Sequence, residues 1–414
     1  MCPFSFLEKI TVLSYDGLRM KKFLINLSLL FVSLLVGFFL IELAFRVATP
    51  ARNLRPNKGL ARADARGYTI LQSNFDGQME AKETGEQVHI KTNAEGFIGN
   101  DYDIEKPTST IRIALFGDSF LEAVQIDFEK TFAHLLEQML NENYATTFEV
   151  MNFGIGGQGT VEELLRYHYY VKKYNPDYVA LFFFPNDFEN NQYYISEKEK
   201  FSDGGLWENI AQSDANFKQD RTDLKYKILQ TFRSVQYFDQ LVRKNATLEK
   251  IAVKFGLHSA GIFGAPEDGI HPGFFIFQNP LPETHRQVYD FTAALINFFA
   301  QQVENNNSKF ILFYLPQTEQ VDSGMWAGVK KDLPAAQNYV WDLDQPNNFL
   351  KNVAEKNNLL FFDLTPEIKK FYDENKNQYL YNFRGRYHDG HFNDEGHRFV
   401  AVALFNYFTE ILKK

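Results

Sequence analysis

Four short stretches, spread widely along the chain, carry residue types that could perform acyl-transfer chemistry. They are residues 117–120, 152–159, 185–187 and 388–393. A serine hydroxyl is a poor nucleophile at neutral pH until a base removes its proton, and histidine titrates near that pH. Ser119 in the first stretch and His391 in the last are therefore candidates for a nucleophile and its base.

Three further residues could complete such a site. Asp389 lies two positions before His391, and a carboxylate bonded to the second ring nitrogen fixes the histidine tautomer and stabilises the imidazolium. The glycines around Gly157 leave backbone N–H groups open, and the Asn186 side chain is also a donor. Both could stabilise an oxyanion.

Each stretch also has a simpler interpretation when it is taken alone. Gly-Asp-Ser triplets form ordinary turns, and Asn186 or Asp187 could merely cap a turn. Residues 152–159 could cradle a phosphate, but they lack the Gly-Lys-Ser ending of a phosphate-binding loop and the dinucleotide spacing. The four stretches must therefore be judged by the elements that position them.

The pattern after residue 107 alternates strand and helix. Continuous apolar strands are predicted at 111–116, 148–151, 178–184, 309–314 and 359–364, and helices at 130–141, 161–174 and 393–412. Such strands are buried on both faces, as in a parallel sheet covered by helices. The predicted fold is a three-layer α/β/α sandwich with a five-stranded parallel sheet. Asn393 or Asp394 caps the last helix, with Phe399, Val402, Phe405 and Phe408 facing inward.

Two regions depart from this alternation. Residues 68–102 combine short alternating stretches with glycines, which predicts a β-hairpin packed on the main domain. Residues from about 190 to 281 lose the strand-helix pattern and hold a helical run at 226–253, which predicts an insertion. An insertion of this kind covers an active site or binds a partner in some proteins, and is a neutral surface elaboration in others.

The four stretches, in this order, resemble the blocks that define the SGNH/GDSL hydrolases, represented here by Ser119, Gly157, Asn186 and His391. The resemblance covers the chain from about residue 112 to its end. It implies a flavodoxin-like sandwich in which the serine attacks an acyl ester. It also implies an oxyanion hole made by the amides of Ser119 and Gly157 with the Asn186 side chain, and a triad completed by Asp389 and His391.

One spacing departs from the family pattern. Many members have two residues between the Asp and the His, whereas only Gly390 separates Asp389 from His391, and His388 occupies the other spacing. Shorter Asp-x-His pairs occur in related acetyl-transferring members. His397 is expected to have a structural role along the last helix. The Gly-x-Ser-x-Gly elbow of α/β-hydrolases is absent around Ser119.

Three functions remain open from the sequence. The first is a serine esterase acting on acyl, especially acetyl, esters of cell-envelope glycans or lipids. The second is an O-acyltransferase with the same triad, because the acyl-enzyme chemistry is shared and only water exclusion differs. The third is a non-catalytic glycan-binding protein on a hydrolase fold, which would contain no activated serine.

The N-terminal region predicts a single membrane anchor. Residues 23–41 carry no charge and could span a bilayer at about 1.5 Å per residue. We expect a cytoplasmic segment at 1–22, a transmembrane helix at 23–46, a linker at 47–67 and a hydrolase domain at 68–414. The signal-like start, at Met1 or Met20, favours an extracytoplasmic catalytic domain, and a reporter fused after Lys414 that is active only in the cytoplasm would refute this orientation.

Composition excludes several other classes of protein. A net charge of -9 without a basic stripe argues against nucleic acid as a partner. Cys2 is the only cysteine, so an intrachain disulfide and a thiolate metal cluster are excluded. The nine histidines show no zinc-ligand spacing, so neither a metal nor another cofactor is predicted. The sequence does not indicate an oligomeric state.

Overall fold

The computed structural model describes residues 4–48, 60–64, 68–81, 83–195, 231–243, 246–255, 270–375, 377–383 and 390–413. The chain divides into two compact units. One contains the N-terminal helix α1, Phe4–Ala48, and the chain around residues 231–241. The other contains the remaining described residues and all the predicted site residues that the structure describes.

Helix α1 is long and apolar enough to cross a membrane between Lys22 and Val47, and its most apolar stretch has a mean hydropathy of 2.6 with no buried residue. It begins at Phe4, so the predicted N-terminal segment continues into the same helix. Within this unit, Glu42 accepts hydrogen bonds from the backbone N–H groups of Arg233 and Ser234, at 3.0 Å each. These are the first residues of helix α6, Arg233–Arg243, and the N-terminus of a helix favours a carboxylate.

The second unit is built on a five-stranded parallel sheet, which confirms the predicted fold class. Its strands, in spatial order, are β6 (Thr147–Asn152), β5 (Thr110–Phe116), β7 (Tyr178–Phe183), β8 (Lys309–Tyr314) and β9 (Leu360–Asp363). All four pairings are parallel, with Ile113 opposite Val150 and Leu181 opposite Leu312 as examples of the register.

Helices cover both faces of the sheet. The remaining helices, in chain order, are α2 (Ser119–Glu122), α3 (Phe132–Asn143), α4 (Thr160–Arg166), α5 (Asn186–Asn191), α7 (Ala246–Lys254), α8 (Glu283–Glu304), α9 (Thr318–Val321), α10 (Ser323–Asp332), α11 (Gln345–Asn357), α12 (Thr365–Glu374) and α13 (Asp394–Leu412). The predicted helix at 161–174 is α-helical only in α4. It continues as a π-helix, Tyr167–Val171, and a 3₁₀ turn, Lys172–Tyr174.

Successive residues of each central strand enter opposite cores, because side chains alternate across a sheet. In β7, Leu181 joins the core that α8 covers, and Phe182 joins the core that α3 and α13 cover. The strand β5 also buries Arg112 completely. Its guanidinium is paired with Glu149 at 2.5 Å and donates to three backbone carbonyls, so the buried charge is compensated.

The inner face predicted for the last helix is only partly right. Asn393 caps α13 as predicted, through a 2.9 Å bond from Gly396 N–H. Phe408 is buried, but Phe399 and Phe405 are half-buried and Val402 is exposed. The buried face instead contains Val400, Ala401 and Leu404 together with Phe408, at the spacing of one helical face.

The N-terminal part of this unit forms two small antiparallel sheets. Strands β1 (Ala61–Ala63) and β2 (Thr69–Leu71) form one, and β3 (Asp76–Glu80) and β4 (Gln87–Lys91) form the other. The second sheet is a hairpin within the predicted range 68–102. Within the predicted insertion the structure describes α6, α7 and a 3₁₀ helix, Pro272–Phe277.

Candidate active site

Ser119 lies just beyond the carboxyl end of β5, the second strand of the sheet. The strand ends at Phe116, and Ser119 begins the short helix α2 two residues beyond Gly117. The Asp118 side chain caps this helix by accepting a 2.9 Å bond from Phe120 N–H. The cap fixes the turn that presents the serine hydroxyl at the edge of the sheet.

His391 reaches the same edge from the segment just before α13. Its Nε2 lies 2.7 Å from the Ser119 Oγ, although the two residues are separated by 272 positions in the chain. The Phe120 ring packs 5.0 Å from the imidazole, centroid to centroid. The structure therefore brings together the predicted nucleophile and base at hydrogen-bonding distance.

The glycine-rich stretch packs against the serine. A Cβ atom on Gly156 would lie 3.2 Å from the Ser119 Cβ and 2.8 Å from an oxygen of Glu122, so a side chain there would crowd both residues. The next residue, Gly157, has a φ of 71°, which favours glycine. The predicted oxyanion donor Gly157 is therefore the residue directly after Gly156, which packs against Ser119.

Asn186 follows the neighbouring strand β7 and begins α5. Its Nδ2 donates a 2.9 Å bond to the buried Asp118 carboxylate, whose other oxygen caps α2. An amide nitrogen has two hydrogens, so one remains for another acceptor. Asp118 thus links the predicted oxyanion side chain to the turn that holds Ser119.

The carboxylate beside His391 comes from a residue that the sequence did not indicate. Glu83 Oε1 lies 2.6 Å from His391 Nδ1, on the opposite side of the ring from Ser119. The predicted partner, Asp389, and His388 lie outside the described residues, so the Asp389 prediction stays untested. Glu83 is one of 52 acidic residues, and no motif distinguishes it from the others.

His397 is fully buried beneath the site. Its Nδ1 accepts the Phe132 backbone N–H at 3.2 Å, and its Nε2 lies 3.4 Å from Gln125. Burial, with a smaller contribution from the charge of His391, lowers the pKa of His397 to about 3. The ring is therefore neutral and accepts a backbone bond, which is the structural role expected for it.

A small cavity adjoins Asn186. Its volume is about 110 Å³, and its polar lining includes Glu189, His271 and Gln317 beside Phe274. His271 and Phe274 belong to the last part of the predicted insertion, which therefore contributes a wall next to the candidate site. Among the described residues, no group of three or more His, Cys, Asp or Glu side chains could hold a metal ion.

Comparison with known proteins assigns the chain to a family. The model of the GDSL-like lipase/acylhydrolase family matches residues 113–404, and no curated protein sequence is significantly similar. Among solved structures, a catalytic mutant of Axe2, an acetylxylan esterase from Geobacillus stearothermophilus, is 13% identical. The similarity covers 73% of this chain and 95% of Axe2, with a TM-score of 0.36.

The acetyl xylan esterase AlAXEase is 18% identical, with 72% of this chain and 98% of that chain covered and a TM-score of 0.36. The family match includes the strand before Ser119, the glycine-rich stretch, Asn186 and His391. The chain therefore belongs to the GDSL-like lipase/acylhydrolase family and is an esterase of the SGNH type.

Proposed function

We propose that the protein cleaves acyl esters through a covalent acyl-enzyme, with Ser119 as nucleophile and His391 as general base. The observation that carries this proposal is the 2.7 Å separation between Ser119 Oγ and His391 Nε2. A nucleophile and its base must lie within about 2.6–3.2 Å for proton transfer.

The reaction has two balanced steps. Ser119 Oγ attacks the ester carbonyl carbon while its proton passes to His391 Nε2, and the tetrahedral intermediate releases the alcohol, which takes that proton. Water then attacks the acyl-serine, His391 again accepts and returns a proton, and the carboxylic acid leaves. Each oxyanion is stabilised by the amides of Ser119 and Gly157 and by the Asn186 side chain.

The substrate is proposed to be a short acyl ester, especially an acetyl ester, of a cell-envelope glycan or lipid. The cavity adjoins Asn186, a proposed oxyanion donor, so it is a place where part of the ester substrate could bind. The polar side chains of Glu189, His271 and Gln317 suit hydroxyl groups.

The location is proposed from helix α1. Its apolar span, Lys22–Val47, would act as an uncleaved single-pass anchor, with residues before it in the cytoplasm and residues 68–414 outside. This arrangement would give the enzyme access to envelope esters.

The test is labelling by a fluorophosphonate probe together with hydrolysis of p-nitrophenyl acetate. Ser119→Ala should abolish both, whereas Ser323→Ala, at an exposed serine in α10, should leave both unchanged. Asn186→Ala should lower turnover on the order of 100- to 1000-fold, the usual effect of removing an oxyanion donor. A wild-type chain that neither labels nor hydrolyses would support a binding protein instead.

A second measurement with the same protein identifies whether water or a glycan accepts the acyl group. Incubation with an acetyl donor and a glycan acceptor should release acetate, because water is the proposed acceptor. Accumulation of acetylated glycan with no acetate would overturn hydrolysis in favour of acyl transfer.

A further inference from the structure

The Glu83 carboxylate contacts both His391 and Asn382. Its Oε1 lies 2.6 Å from His391 Nδ1, and its Oε2 accepts the His391 backbone N–H at 3.1 Å and the Asn382 side-chain amide at 3.3 Å. The side chain is 14% exposed. One carboxylate thus holds both the ring and the backbone of the candidate base.

We propose that Glu83, carried by the β3–β4 hairpin, is the carboxylate that orients His391 for proton transfer from Ser119. This inference rests on the proposed function. It assigns the third member of the triad to a residue 308 positions before the histidine, in place of the Asp that usually lies shortly before it in sequence. Glu83 is a positioning residue, since it touches His391 and not the reacting atoms.

The hairpin fixes the position of Glu83 through its own backbone. Ala81 N–H bonds to the Glu86 carbonyl and Gly85 N–H to the Ala81 carbonyl, both at 2.7 Å, which closes a tight turn around Glu83. Gly85 has a φ of 74°, which suits glycine. These hydrogen bonds join described residues on either side of Glu83.

Gly390 and Asn382 leave space for the Glu83 carboxylate. A Cβ atom on Gly390 would lie 3.0 Å from Glu83 Oε2 and 2.8 Å from the Asn382 carbonyl oxygen. The glycine between Asp389 and His391 therefore leaves room for the incoming carboxylate. Gly390 N–H donates to that same Asn382 carbonyl at 2.9 Å, and this bond joins the two residues beside Glu83.

The charge state of Glu83 suits this role. Burial alone would raise its pKa, but hydrogen bonds from His391 and Asn382, with the charge of His391, outweigh burial and lower the pKa to about 2. The group is therefore ionised at neutral pH. An ionised acceptor on Nδ1 requires a proton on that nitrogen, which leaves Nε2 free to accept the Ser119 proton.

Proton movement during catalysis follows from this arrangement. When Ser119 Oγ bonds to the carbonyl carbon, its proton moves to Nε2 and the ring becomes an imidazolium. Glu83 stabilises that cation and takes no proton itself. The Nδ1 nitrogen carries a single hydrogen, and the Glu83 carboxylate lies 2.6 Å from that nitrogen.

The experiment compares Glu83→Gln with Asp389→Asn in the full-length protein. Glu83→Gln should lower kcat on the order of 10⁴-fold, the effect of removing a triad carboxylate charge, with little change in KM. Asp389→Asn, at the residue that the family resemblance implies for this role, should lower kcat far less than Glu83→Gln does. Probe-labelling rates at Ser119 should follow the same order, because labelling requires the same activated hydroxyl.

Two readouts separate positioning from mere stability. Added formate should restore part of the activity of Glu83→Ala by supplying a carboxylate in the space left, and should not restore Glu83→Gln, where the space is filled. A far-downfield proton resonance from the His391 Nδ1–H should be present in wild type and Asp389→Asn and lost in Glu83→Gln.

The outcomes distinguish this inference from the function on which it rests. If the wild-type chain is not labelled and cleaves no ester, the proposed function fails. If wild type is active, folded Glu83→Gln keeps its rate and Asp389→Asn loses it, then Asp389 is the orienting group and Glu83 is not.

Discussion

Glu122 lies one helical turn beyond Ser119 and is buried, with 6% of its surface exposed. Burial raises its pKa to about 7, even though the Gly156 N–H and the charges of His391 and Arg166 act in the opposite direction. A carboxyl group directly beneath the nucleophile therefore titrates in the neutral range. It touches the glycine that packs on Ser119, so its protonation affects the packing of the candidate site.

Glu122→Gln should make stability less dependent on pH. The folded-state pKa is above the ordinary value of 4.5, so the folded chain keeps a proton that the unfolded chain loses. Stability is therefore full below pH 4.5 and falls by up to about 3 kcal/mol as pH rises to about 7. Melting temperatures at about pH 5 and about pH 8 should differ less in the variant than in wild type.

The control for this pH series is Glu142→Gln, which removes a carboxylate from the exposed side of α3. It should keep the wild-type difference between the two pH values. An equal pH dependence in wild type and Glu122→Gln would contradict the raised pKa of Glu122.

At the scale of elements, the hairpin that carries Glu83 is tied to the main domain by His89 in β4. Its ring bonds to Glu129 of the main domain at 2.8 Å and to Asp76 of the hairpin at 2.7 Å. Its backbone N–H also bonds to Asp127 at 2.8 Å. The hairpin is therefore held near the chain segment that follows Ser119.

Glu129→Gln should weaken the attachment of the hairpin, whereas Asp76→Asn removes only a bond within it. The bonds to Asp76 and Glu129 raise the pKa of His89. The charged His89 ring therefore stabilises the folded protein fully below about pH 6.5. This stabilisation is lost as the pH rises through the raised pKa of His89. Amide hydrogen exchange in the hairpin should be faster in Glu129→Gln than in Asp76→Asn, most clearly below about pH 6.5.

Weaker attachment of the β3–β4 hairpin should also lower the reactivity of Ser119. If Glu83 orients His391, probe labelling of Ser119 in Glu129→Gln should slow, by less than in Glu83→Gln. Faster hairpin exchange with unchanged labelling would show that Glu83 keeps its contact independently of the Glu129 bond.

At the scale of the whole molecule, the predicted site residues that the structure describes all lie in one compact unit, and α1 belongs to the other. The parallel sheet of the unit that contains the site has a buried core on each face, and neither core includes a residue of α1. We therefore expect the esterase unit to fold without the N-terminal helix.

A chain that begins at residue 59 should therefore be soluble and still hydrolyse p-nitrophenyl acetate. The full-length chain should sediment with membranes, because its span of 26 residues exposes apolar side chains along its length. Fractionation followed by the hydrolysis assay measures both properties. A truncated chain that is folded by circular dichroism but inactive would show that catalysis requires α1.

Local sequence was sufficient to predict the sheet and part of the site. Apolar strands buried on both faces have a distinctive pattern, and parallel strands end at one edge, so Ser119 and Asn186 could be expected to lie near each other. The cap at Asn393 is likewise a local feature that was predicted correctly. These predictions depend only on neighbouring residues and on the rules of parallel sheets.

Tertiary structure alone decided which residues meet from distant parts of the chain. The last helix, α13, has apolar residues on more than one face, and its packing in one core with α3 decides which of these faces is buried. The contact between Glu83 and His391 spans 308 positions and depends on how a hairpin packs on the domain. The sequence by itself determined the nucleophile and base candidates, whereas three-dimensional packing determined the carboxylate that faces the base, since its position follows from no spacing rule.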